Sequence, residues 1–89
     1  MNMDRFLQDR REAFIKAVME DNWDYVRVYC DRYGVAIPKN ERIMKAGIYK
    51  AVQACTDIPK DVKDVAFMKC LELGFSPFMR PPEEPDRDA

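Results

Sequence analysis

Apolar positions in the first twenty residues recur three and four apart. Leu7, Phe14 and Val18, flanked by Phe6, Ala13 and Ala17, fall along one side of a helix, and Arg5, Asp9, Arg10, Arg11, Glu12 and Lys16 fill the other. The spacing predicts an amphipathic helix from Met3 to about Met19. Asp21 or Asn22 then offers an acceptor for the unpaired amides of a new helix, and Asp24 adds negative charge to its first turn. This second helix starts near Trp23 and turns Trp23, Val26, Cys30 and Tyr33 inward. It ends at Gly34, which suits a left-handed cap, with Val35 folding back onto Cys30.

The residue before a proline is pushed out of helical geometry, so Val35 to Pro38 reads as extended chain. A third helix begins at Pro38 or Asn40 and carries Ile43, Met44, Gly47, Ile48, Ala51, Val52 and Cys55 on its apolar side. A glycine inside a helix costs about 1 kcal/mol against alanine, so Gly47 predicts a close helix contact. Ile58-Pro59-Lys60-Asp61 repeats the punctuation of Ile37-Pro38-Lys39-Asn40 and opens a fourth helix that runs to Leu73 and stops at Gly74. Its apolar residues Val62, Val65, Ala66, Phe67, Met68, Cys70, Leu71 and Leu73 cover more than one face. A helix of that kind is either central or in contact with another chain.

The two halves echo each other. Phe14-Ile-Lys-Ala-Val18 returns as Ile48-Tyr-Lys-Ala-Val52; further on, Asp21, Asp24, Cys30, Gly34 and Val35 correspond to Asp61, Asp64, Cys70, Gly74 and Phe75. Each half therefore reads as a helical hairpin. The echo has two readings: a short helical-repeat module that presents a binding surface, or independent use of the same few caps. Both give the same fold class, all-α, with four helices arranged as two hairpins around one core. The expected organisation is a single helical domain over 1–79 and a disordered, acidic, proline-rich tail over 80–89.

Composition narrows the class. A chain of 89 residues, 47% apolar and 35% charged, has room for one soluble domain with a thin core. No apolar run approaches the roughly 20 residues of a membrane span, and the N-terminus lacks the apolar core of an export signal, so the expected location is the cytoplasm. Cys30, Cys55 and Cys70 show no C-x-x-C spacing and are expected as reduced, buried thiols. The chain has no histidine, the commonest general base and metal ligand. Asp21, Asp24, Asp61 and Asp64 sit where helices start, which suits capping better than acid–base chemistry or metal binding. The reading is of a non-enzyme without cofactor or metal.

What remains is surface. Tyr25, Tyr29 and Tyr33 follow one another at four-residue spacing beside Trp23, a composition found both in interaction hot spots and in small cores. Trp23 and Tyr33 fit the core, whereas Tyr25 and Tyr29 lie off the inward seam. Phe67 and Leu71, with Phe75, Phe78 and Met79 after the last cap, either close the core as a lid or form a dimer or partner surface. The partner-binding candidates are thus Tyr25, Tyr29, Phe67, Leu71, Phe75 and Phe78. Lys39, Arg42, Lys45 and Lys50 make the third helix locally basic. That allows an alternative, a nucleic-acid-binding helix-turn-helix regulator using helix 39–55, with Lys39, Arg42 and Lys45 on phosphates. A net charge of −1 and a pI of about 5.4 weigh against it.

The segments Tyr33-Gly-Val-Ala-Ile-Pro38, Ala46-Gly-Ile-Tyr-Lys-Ala51 and Leu73-Gly-Phe-Ser-Pro77 resemble short helical proteins encoded in prophages and mobile elements of Gram-positive bacteria. The resemblance implies a mobile-element origin and brings no activity or functional residue with it. The expected function is a small protein–protein interaction module, acting on a host or defence protein or by self-association.

Overall fold

The computed structural model describes residues 3–76, and four helices account for most of them. They are α1 (Met3–Glu20), α2 (Asp24–Tyr33), α3 (Glu41–Ala54) and α4 (Lys60–Glu72). No strand occurs among the described residues. The chain is all-α, as its periodicity predicts. Phe78, Met79 and the tail 80–89 lie outside the described residues.

Helix α1 packs on α2 and α3 packs on α4, giving two hairpins, and α1 joins them by also touching α4 and α3. Polar ties fix each junction. Arg32 Nη1 and the Tyr33 hydroxyl both donate to Asp9 Oδ2, at 2.9 and 2.7 Å, and bind α2 to α1. Gln53 Nε2 donates to the Lys63 carbonyl at 2.8 Å across the second hairpin. Lys69 Nζ donates to the Val18 carbonyl at 2.6 Å, between the hairpins. The α3–α4 turn is held to α1 by Arg11 Nε on the Asp57 carbonyl at 2.8 Å.

The core runs through both hairpins: Ala13, Phe14, Ala17 and Val18 from α1, Val26, Tyr29 and Cys30 from α2, Met44, Ala46, Tyr49 and Val52 from α3, and Val62, Ala66 and Cys70 from α4, with Trp23, Cys55 and Ile58 at the turns. Phe6, Phe14, Tyr29 and Tyr33 meet as tilted and edge-to-face rings between α1 and α2, and Trp23 meets Tyr49 edge-on at 5.7 Å. All three cysteines are buried free thiols.

The echo between the halves extends to the backbone. Val35 N donates to the Cys30 carbonyl and Phe75 N to the Cys70 carbonyl, the same closing bond at matched positions. Gly34 (φ 69°) and Gly74 (φ 89°) supply the left-handed residue each closure needs. The Asn40 side chain caps α3 by accepting from Ile43 N at 3.0 Å. At the start of α2 Asn22 Oδ1 accepts from Asp24 N, whereas Asp21, itself at φ 55°, caps no amide and instead accepts from the Trp23 indole at 2.8 Å.

Three local expectations change. Tyr29 is only 7% exposed and belongs to the core, because the rings of Phe6, Phe14 and Tyr33 surround it. Ile43, assigned by periodicity to the inner face of α3, is 49% exposed. Gly47 makes no close helix contact: a Cβ built on it meets nothing within 4 Å. The last two have one cause. At the backbone, α2 approaches only α1, so the side of α3 that should meet α2 is left open.

Candidate docking surfaces

The gap between α2 and α3 is a groove of about 250 Å³. Phe14 of α1 forms its floor, Val26, Tyr29 and Cys30 one wall, and Met44, Gly47, Ile48 and Ala51 the other. The extended stretch Val35 to Pro38 closes one end, and Val35 and Ile37 remain partly exposed there. The lining is almost wholly apolar. Pro38 and the closure on Cys30 hold the loop across the end of the groove, and the missing side chain at Gly47 keeps the wall low. The Lys-Ala-Val echo shows what differs between the hairpins: Ala17 is fully buried, whereas its counterpart Ala51 is half-buried in the groove wall.

A second surface lies on the outside of α4. Met68 is 55% exposed and Leu71 46%, with Phe67 partly buried beside them. The inner face of the helix is apolar too, through Val62, Ala66 and Cys70. Apolar residues therefore surround α4, yet α3 and α1 cover only part of it. Lys60 and Asp64 pair at 3.0 Å at the start of this outer face, and Asp61 and Glu72 are exposed along it. Just past its end, Phe75 is half-buried under the Arg42 guanidinium (4.6 Å) and Lys50 Nζ (5.8 Å). Arg42 also donates twice to the Leu73 carbonyl, at 3.0 and 2.6 Å, and so anchors the close of α4 to α3.

Tyr25 sits apart from both, 42% exposed, in a shallow cleft between α1 and α2 with Val28 and the carboxylates of Asp9, Glu12 and Asp24. Lys16 Nζ stands over its ring at 5.6 Å. The tyrosine stripe is therefore split by the fold: Tyr25 outward, Tyr29 in the core, Tyr33 on Asp9. Of the six partner candidates, Phe67, Leu71 and Phe75 gather along and just beyond α4, Tyr25 is remote, Tyr29 is buried, and Phe78 lies outside the described residues. Met68, Ile43, Val35 and Ile37 are exposed apolar residues outside the six partner candidates, as are Met3, Met19 and Val28. Met68 had a sequence signal, its place one turn before Leu71; Ile43, Val35 and Ile37 depend on how far α2 stands from α3.

The cations of α3 have internal duties. Arg42 is bound to Leu73 and Phe75, and Lys45 pairs with Glu41 at 3.3 Å and covers Trp23 at 5.4 Å, whereas Lys39 is exposed. Among the acids, the Tyr33 hydroxyl and then Arg32 hold Asp9 below the usual aspartate range, and the Trp23 indole does the same for Asp21. Burial pushes the thiols of Cys30, Cys55 and Cys70 up, away from the reactive thiolate. Among the described residues, no group of three or more cysteines and acids is placed to hold a metal ion. No described helix is long and apolar enough to cross a membrane. Comparison of the chain with family models, curated proteins and solved structures finds no match.

Proposed function

We propose that this chain is a non-enzymatic protein-interaction module of the cytoplasm, of mobile-element origin, that associates through the outer face of α4, and that the occupant of that face is a second copy of the chain. The observation that carries the reading is the double-sided apolar character of α4, with Met68 and Leu71 open to water beside Phe67. Charge favours self-pairing. An antiparallel two-fold crossing centred between Met68 and Leu71 sets each Met68 against the second copy's Leu71. It also carries the exposed Asp61 of each first turn, whose neighbour Asp64 is already paired with Lys60, toward the end where Arg42 and Lys50 flank Phe75. The patch is small, so the pairing is weak, with a Kd on the order of 100 µM.

Sedimentation of the full chain across that range tests the proposal. Association that Leu71→Glu abolishes, with helical content unchanged, supports it. A wild-type chain that stays monomeric at about ten times that Kd sinks it, as does association indifferent to Leu71→Glu and Met68→Glu.

A further inference from the structure

Tyr25 lies away from the α4 face, in the cleft between α1 and α2, and α4 pairing leaves that cleft unused. We infer that it is a docking site for a basic segment of another protein, which seats an apolar side chain against Tyr25 and Val28 and sets a cation between Glu12 and Asp24. The shape comes from residue size. Ala13 of α1 is small, so above Ala13 and the buried Tyr29 the two helices leave a space of about 270 Å³. Tyr25 and Val28, three apart and so on one side of α2, stand over that floor at 42% and 54% exposure. Both exceed what a closed helix–helix seam leaves open, and together they form an apolar seat.

Charge decides what fits it. The cleft is lined by the carboxylates of Asp9, Glu12 and Asp24 and by the Arg32 guanidinium. Arg32 is committed to Asp9 at 2.9 Å, and Tyr33 donates to the same oxygen. Lys16, over the Tyr25 ring at 5.6 Å, pairs with Glu20 at 3.4 Å. Asp24 reaches Arg27 only at 3.9 Å with its side chain 90% exposed. Glu12 is exposed and has no ion pair among the described residues. Each wall therefore keeps one carboxylate free to meet a cation, Glu12 on α1 and Asp24 on α2.

Exposed ion pairs contribute little affinity each, so the apolar seat supplies the binding and the carboxylates select its sign. A second copy of this chain does not meet that requirement through its α4 face, where Asp61 and Glu72 accompany Met68 and Leu71. Like charge would then face like. An arginine or lysine beside a leucine-sized residue, on a segment of a different protein, satisfies both the seat and the walls.

NMR titration of the labelled full chain with the blocked peptide acetyl-Arg-Leu-Arg-amide tests this, with acetyl-Glu-Leu-Glu-amide and spermidine as the other two arms. The inference expects saturable shifts at the Ala13 and Val28 methyls and the Tyr25 ring with the arginine peptide, at a Kd on the order of 1 mM, and none with the other two. Glu12→Gln should weaken that binding about threefold and Val28→Ser about fivefold, with the helical spectrum unchanged in both. The inference is overturned if no saturable shift appears in the cleft, if the acidic peptide binds equally, or if binding ignores both substitutions. Equal shifts from spermidine overturn it too, and assign the cleft to free cations. Leu71→Glu should bind the peptide as wild type does, so the outcome is independent of α4 pairing.

Discussion

Asp9 is the polar hinge of the first hairpin: one carboxylate takes both Arg32 and the Tyr33 hydroxyl. Its pKa is lowered in the fold, first by Tyr33 and then by Arg32. The stabilisation that goes with it is present above the unfolded-state pKa and is lost as pH falls through the lower folded value. Tyr33→Phe should therefore melt earlier than wild type near neutrality, and the gap should close below about pH 4. Melting curves at several pH values check this; a gap that persists unchanged in acid would assign the effect to packing. The thiols make a second expectation. Each is buried and shifted away from the thiolate, so a thiol reagent at pH 8 should leave the native chain unlabelled and titrate three groups after denaturation. Rapid labelling of the native chain at any cysteine would contradict the burial.

Two substitutions on α3 should act in opposite directions. Asn40→Ala removes the acceptor for Ile43 N and should cost about 1 kcal/mol. Gly47→Ala should stabilise by about 1 kcal/mol, since the added Cβ meets nothing. Urea unfolding of both variants provides the comparison, and a destabilised Gly47→Ala would mean that the groove is tighter than its geometry shows. The same helix shows how far the sequence could be read. Caps, stops and helix periods depend on neighbours within four residues, so Asn40, Gly34, Gly74 and the four helices were legible from the chain alone. Burial of a given face depends on where a second helix stands. Ile43, Gly47 and Tyr29 were misplaced for that reason: the pattern marks an apolar side without saying that α2 stays with α1 and leaves α3 uncovered.

In the assembled molecule, the two hairpins are alike in closure and unlike in cover. Helix α1 is central, touched by every other helix, while α2 reaches α1 alone and α4 is covered only on its inner side. A core this thin leaves apolar surface in several places, among them the groove beside Gly47 and the face of α4 with Met68 and Leu71. The α4 face was half legible in the chain: apolar residues all round the helix pointed to a second contact, and Phe67 and Leu71 were marked, but which side faced outward followed only from the placement of α3 and α1. If α4 is the pairing face, its exposed residues should govern assembly and leave folding alone. The decisive measurement is sedimentation equilibrium of the full chain beside Leu71→Glu, with circular dichroism on both. The account predicts a concentration-dependent dimer for wild type and a monomer of equal helical content for the variant. Two monomers, or two equally stable dimers, would contradict it.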